Sequence, residues 1–305
     1  MDRRELLRRI TAFPLTASGL SEDLLSGGYR SVFKGQGIEF DEARYYEIGD
    51  DARFIDWNVS ARFGEPYVKM YREERELSVF VIMDTSPSMH TGWGEMSSYE
   101  QGIFVAALIA FSAEKAGQRV GALFFDRDIT QVFPPRKSRR HIMSILGSAA
   151  AIGSDTALPA GSAQASNLRA ALQGAGRFLK RRSLVVVVSD FFAGGWEQEF
   201  EDLAARHDLI AIGIGNSQEG EFSDLGLIPL EDPETGVSFY GATAFPGFRK
   251  AWSHWNRERR EYVESLCRRA GAACLFLSSA EDTPTALTRF FSGRRPTRRF
   301  RRKRV

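Results

Sequence analysis

The sequence predicts an α/β fold with a doubly wound, mostly parallel sheet and an N-terminal accessory region, on three observations. From about residue 78, short apolar runs alternate with longer amphipathic stretches, the rhythm of strand–helix–strand units. The runs at 78–83 and 184–188 are apolar at nearly every position, as strands covered on both faces must be. A chain of 305 residues is long for one domain and short for three, which leaves room for one large domain and an accessory part.

Each element has its own signal. Ser78 to Met83 reads as the first buried strand, and Asp84 ends it. Ser97-Ser98 can cap a helix in which Phe104, Leu108 and Phe111 recur at helical spacing, with Gly117 just past its end. Val120 to Phe125 is a second strand. Asp126-Arg127-Asp128 turns into Ile129 to Phe133, an edge hairpin stopped by Pro134-Pro135. Helical periodicity runs through Ile142, Leu146 and Ala149, and again from Leu168 through Leu172 to Phe178-Leu179. Between them, 152–166 is too rich in Gly, Ala and Ser for a strand, and Ser166 stands where a helix N-cap belongs. Leu184 to Val188 is the clearest strand and ends in Ser189-Asp190. Helix over 197–206, strand over 209–212, a long helix over 248–270, strand over 273–277 and helix over 285–291 complete the order. Turn chemistry at Asp232 to Gly236 predicts a small hairpin inserted at about 222–245. Residues 1–77 lack this rhythm and are expected to form the accessory region, with 78–292 the main domain.

Composition narrows the classes. Two cysteines, Cys267 and Cys274, exclude a disulfide framework and a Cys-rich zinc site, which fits a reducing compartment. The start carries scattered charge instead of an apolar leader, and no run reaches the roughly 18 apolar residues of a spanning helix, so a cytoplasmic location is expected. Net charge is +2, yet the last dozen residues hold eight Arg and Lys, leaving −6 for the rest. Residues 293–305 therefore read as a basic, disordered tail able to attract anionic lipid or nucleic acid without specificity.

Ligands of open α/β sheets sit outside the carboxyl ends of the strands. Two buried runs end there in aspartate, Asp84 and Asp190, and come together if their strands are neighbours. In an extended loop alternate residues face one side, so Asp84, Ser86 and Ser88 can present a carboxylate and two hydroxyls to one point. Hard oxygen donors of this kind suit magnesium or a similar cation. A structural alternative is that all three serve a turn and the next helix cap. Glu39, Asp41, Asp50, Asp51 and Asp56 could form a docking surface, but their interleaving with Arg44, Arg53 and Arg62 favours ion pairing and capping. Asp126 is explained by its hairpin turn, His90 by its loop, and Trp252 and Trp255 by core packing of the long helix.

The stretches Gly35 to Tyr46, Gly49 to Arg62, Tyr67-Val68-Lys69 and Glu73 to Leu77, continuing through the Asp84 loop and Leu184 to Asp190, resemble the bacterial domain-of-unknown-function 58 proteins. That resemblance implies a von Willebrand factor type A-like, Rossmann-like fold, often encoded beside MoxR-type AAA+ ATPases. It likens the Asp84 loop to a metal-ion-dependent adhesion site, at which a partner's acidic side chain completes the metal. Carried over by position, Asp84, Ser86 and Ser88 are the first-loop metal ligands and Asp190 the last-loop carboxylate. For the second-loop hydroxyl, Ala165-Ser166-Asn167-Leu168 stands where a Gly-Thr-Asp-Leu-like run is usual, so Ser166 takes that place, with Thr156 as the competing choice. The expected cofactor is magnesium, or another divalent cation such as manganese or calcium. The expected function is a non-catalytic, metal-dependent protein-interaction module serving a MoxR-type AAA+ ATPase and its client in assembly or maturation. Two alternatives stand beside it: a metal-dependent hydrolase or phosphatase using Asp84, opposed by serine at position 86, and an adaptor to anionic membrane or nucleic acid through the tail.

Overall fold

The computed structural model describes residues 34–47, 50–74, 78–90, 96–152, 166–215, 224–231, 237–278 and 281–293. The described residues up to Glu74 and those from Ser78 onward form two compact units. Thr156, the turn at 232–236 and the basic tail lie outside the described residues.

In the smaller unit, β1 (Lys34–Tyr45) pairs antiparallel with β2 (Tyr67–Glu74), and its register shifts twice. Between them Asp51 caps a short 3-10 turn at Ala52–Phe54, and Asp56 caps helix α1 (Trp57–Phe63) by accepting from the Asn58 and Val59 amides at 3.0 and 3.2 Å. Gly64, at φ 76°, ends that helix in the left-handed conformation glycine tolerates. A two-stranded hairpin has little to bury, and Trp57 and Phe63 are exposed.

The larger unit runs β3 (Ser78–Asp84), α2 (Ser98–Lys115), β4 (Arg119–Phe125), β5 (Ile129–Arg136), α3 (Arg139–Ile152), α4 (Leu168–Phe178), β6 (Leu184–Ser189), α5 (Glu197–Arg206), β7 (Asp208–Gly215), β8 (Leu227–Glu231), β9 (Ser238–Ala242), α6 (Pro246–Ala270), β10 (Ala273–Ser278) and α7 (Thr283–Gly293). Six strands form one sheet in the order β10-β7-β6-β3-β4-β5, parallel except at the β5 edge. The predicted mixed fold with a mostly parallel sheet is thus present. β8 and β9 form the expected antiparallel hairpin as a separate two-stranded sheet.

Alternation along the strands divides the core into two layers. Phe80, Ile82, Leu123, Phe125, Val185, Val187, Leu209 and Ala211 face α4, α5 and the C-terminal half of α6. Val81, Met83, Ala122 and Phe124 line the opposite face with Ala106 and Ala110 of α2 and Ile145 and Leu146 of α3. On that face α2 lies close: a Cβ on Gly102 would stand 3.4 Å from Met83, Val188 and Ile214. A capping box holds its start, with Glu100 N donating to Ser97 Oγ and Ser97 N to the Glu100 carboxylate.

Three local expectations change. β5 continues through Pro134-Pro135 to Arg136, because an edge strand needs no outward amide there. α4 is capped by Asn167, whose Oδ1 accepts from Ala170 N at 3.0 Å, and Ser166 lies one residue before the cap. Trp255 is exposed at 47 % and Trp252 half-buried, so they are not core residues. Only the C-terminal half of α6 places buried apolar side chains on the body, at Val263, Leu266 and Cys267.

Candidate metal centre at the carboxyl edge of the sheet

β3 and β6 are neighbours, and the chain leaves them in opposite directions, β3 toward β4 and β6 toward β7. That divergence opens the crevice in which α/β sheets hold ligands. Met83 is registered with Val188, and one residue further Asp84 meets Ser189: the Ser189 hydroxyl donates to Asp84 Oδ2 at 2.7 Å across 105 positions of sequence. Asp84 Oδ1 accepts from the Ser86 amide at 3.0 Å, and the Ser86 and Ser88 hydroxyls lie 3.0 Å apart. Thr85 fixes the loop to β4, its amide and hydroxyl both donating to the Phe125 carbonyl at 2.8 Å. Pro87–His90 then forms a 3-10 turn, with the His90 ring stacked on Tyr99 at 4.4 Å.

After β6 the chain turns sharply. Asp190 is buried, with Oδ1 accepting from Phe192 N at 3.0 Å, and Ser189 Oγ accepts from Phe191 N at 3.0 Å. Phe191 adopts φ 57°, the one positive φ at a non-glycine residue among the described residues, and packs on Trp196. A bulky residue in that region carries strain that its surroundings must hold.

The electrostatics follow from burial. Asp84 has no exposed surface, and loss of hydration raises its carboxyl from 3.8 to about 7; the neighbouring Asp190 charge adds to the rise, and the Ser189 and Ser86 hydrogen bonds oppose it. No basic side chain is among the groups that shift it. His90 is itself pushed below its usual value by burial. Among the described residues no three or more His, Cys, Asp or Glu side chains cluster to hold a metal, so the donors the described residues offer here are two carboxylates and the hydroxyls beside them. That set fits a hard divalent cation: two buried carboxylates side by side are costly unless something positive neutralises them.

The geometry therefore brings Asp84, Ser86, Ser88 and Asp190 to one edge. Ser166 belongs to the same edge by connection, since the next residue, Asn167, donates its amide to the Asp126 carbonyl at 2.7 Å, and Asp126 directly follows Phe125, the register partner of Asp84. Sequence reasoning passed over Ser189, whose place before an aspartate after a Val run carries no special signal; only the β3–β6 pairing reveals it. Three acids of the smaller unit do other work, while the side chains of Glu39 and Asp41 lie outside those described. Asp50 pairs with Arg44 at 2.6 Å, Asp51 with Arg53 at 2.7 Å, and Asp56 caps α1.

The family described as "Protein of unknown function DUF58" matches residues 42–262. Uncharacterized proteins of Mycobacterium tuberculosis and Mycobacterium bovis are each 29 % identical over 296 residues, which is 97 % of this chain and 92 % of theirs. Among solved structures, the conserved hypothetical protein BatB from Bacteroides thetaiotaomicron aligns with TM-score 0.43 and 14 % identity over 71 % of this chain and 97 % of its own. The pilus adhesin SpaC from Lactobacillus rhamnosus GG aligns with TM-score 0.43 and 9 % identity over 72 % of this chain and 29 % of its own.

Proposed function

The chain belongs to the DUF58 family of proteins of unknown function, and from that premise we propose that it is a non-catalytic, divalent-cation-dependent protein-binding module of the von Willebrand factor type A kind. The observation that carries this reading is the buried Asp84–Asp190 carboxylate pair, with the Ser86 and Ser88 hydroxyls beside it and no basic side chain among the groups that shift Asp84. In it, Asp84, Ser86, Ser88 and Asp190 hold magnesium, or manganese or calcium, and Ser166 is the second-loop hydroxyl. When bound, such a cation would neutralise the pair and accept a carboxylate from a partner as a further ligand. The chain's own part is to hold its acceptors still: Thr85 staples the loop to β4, and Ser189 and the Ser86 amide fix both Asp84 oxygens.

The partner in this reading is a MoxR-type AAA+ ATPase in the cytoplasm, working on a client protein during assembly or maturation, and its support is the sequence resemblance. Among the described residues, no helix is long and apolar enough to cross a membrane. An aspartyl nucleophile at Asp84 is disfavoured because that side chain has no exposed surface and both its oxygens accept hydrogen bonds. The test is calorimetric titration of the purified protein with magnesium, followed by pull-down of the MoxR-type ATPase from the same genome, for wild type and for a folded Asp84→Ala variant. Magnesium-dependent capture lost in the variant is expected. Equal capture by the variant in EDTA and the wild type in magnesium would sink the proposal.

A further inference from the structure

Asp190 and Phe192 are joined by a hydrogen bond, so the candidate cation site is continuous with the surface that Phe192 begins. The strained turn at Phe191 sends one ring inward, onto Trp196 at 5.4 Å, and the next outward, where Phe192 is 38 % exposed. That outer ring is not loose. It stacks on Trp255 of α6 at 5.5 Å and 25°, and the Arg259 guanidinium lies 3.6 Å above it and 5.7 Å from the Trp255 ring. Trp252 continues the row at 5.6 Å from Trp255, and Phe248 at 6.4 Å from Trp252. These residues sit on the half of α6 that extends beyond the body's apolar core.

Exposed Phe and Trp rings held rigid by a stacked arginine lose little freedom when something binds them, and Trp and Arg are the residue types that dominate interface energies. Their charge selects the partner's. Arg259 is cationic, and at the other end of the same turn a cation at the Asp84 site, its charge balanced by the two aspartates, would still take a carboxylate as a ligand, so an acidic segment suits both. An aromatic or apolar side chain on that segment would cover Phe192 and Trp255.

We propose that Phe192, Trp255 and Arg259 form the specificity surface beside the candidate cation site, and that its occupant is a partner-protein segment carrying a carboxylate and, close by in sequence, an aromatic side chain. This rests on the cation-dependent binding reading, in which the carboxylate completes the cation while the aromatic side chain lies on the Phe192–Trp255 pair. It explains why strain is held at Phe191: relaxing that turn would carry Phe192 away from Asp190's edge.

The test uses fluorescent peptides in a Gly-Ser background carrying one Asp, one Trp, or both, measured by anisotropy with magnesium and with EDTA. The wild-type chain is compared with Trp255→Ala and Arg259→Ala, each checked by its thermal midpoint and by magnesium titration. The Asp-Trp peptide should bind wild type about tenfold more tightly than either single peptide, and Trp255→Ala should remove that gain while keeping its magnesium affinity. Trp255 is half exposed, so its truncation leaves the core intact; Arg259→Lys, which keeps charge but stacks less well, should give an intermediate loss. Binding lost in EDTA but unchanged in Trp255→Ala overturns this proposal and leaves the cation reading standing. Binding lost in Trp255→Ala but unchanged in EDTA overturns the cation reading and, with it, the joint carboxylate-and-aromatic recognition proposed here. No binding of the Asp-Trp peptide up to about 1 mM overturns the surface as an acidic-aromatic site. Self-association of wild type that is lost in Trp255→Ala, with no peptide effect, assigns the surface to a second copy and overturns it too.

Discussion

Two acid-bearing regions of this chain have similar residue types and opposite physics. In the smaller unit Asp50 and Asp51 sit at the surface. The amide of Glu47 and the guanidinium of Arg44 hold Asp50 below the usual carboxylate range, and the Arg53 side chain and amide do the same for Asp51. At the sheet edge Asp84 is buried beside another carboxylate and is driven up to about 7. The first region is satisfied by its own neighbours. At the second, no basic side chain is among the groups that shift Asp84, the condition in which a bound cation would be most stabilising.

Removing the Asp84 charge tests this contrast most severely. Asp84→Asn should abolish the magnesium-induced rise in thermal midpoint, yet make the cation-free protein more stable above neutral pH, by on the order of 4 kcal/mol if the whole rise from 3.8 to about 7 is relieved. Parallel melts in EDTA and magnesium check both halves, and a variant less stable than wild type in EDTA at pH 8 would remove the contrast. The same shift dictates a pH profile. Because the folded carboxyl holds its proton to higher pH than the unfolded one, Asp84's contribution to the stability of the cation-free protein should be fully present below about pH 4, be lost between about 4 and 7, and then level off. Denaturant midpoints across that range measure it, and excess magnesium should flatten the slope.

Smaller effects come from the groups that support each acid. Ser189→Ala withdraws the buried hydroxyl that donates to Asp84, which should cost about 1–2 kcal/mol in EDTA above neutral pH and weaken magnesium binding. Asp56→Ala deletes the α1 cap, worth about 1 kcal/mol within the smaller unit, and should leave the magnesium isotherm unchanged. At the bottom of the scale, Asp51→Asn breaks an exposed pair and should alter neither the melting curve nor the isotherm measurably.

Much of the sheet was legible because its strands are buried on both faces: unbroken runs such as Leu184 to Val188 leave few other readings. The two aspartates were legible for the same reason, since an acid directly after such a run must lie at a strand end. What escaped depended on pairing or on local dihedral angles. Ser189 gains its meaning from the β3–β6 register, which nothing near it in sequence encodes. Ser166 and Asn167 are both good caps, and backbone angles chose between them. Trp255 has core-like spacing, but periodicity tells which side of a helix is apolar, not whether the body extends beneath it. The outward turn of Phe192 depends on a positive φ at Phe191, a conformation unusual for phenylalanine and therefore invisible to propensity.

The bond from Ser189 to Asp84 spans 105 positions, and that span has a kinetic meaning. β3 is made early and must wait for β6, with the β4–β5 hairpin and the three helices α2, α3 and α4 emerging in between. Contacts so distant in sequence close late, after the loop entropy between them has been lost. The Asp84 carboxylate therefore acquires its setting only once the central strands have zipped together. During synthesis, chains shorter than about residue 190 lack half of the pocket, so cation uptake by ribosome-bound fragments of graded length would time the moment at which the sheet closes.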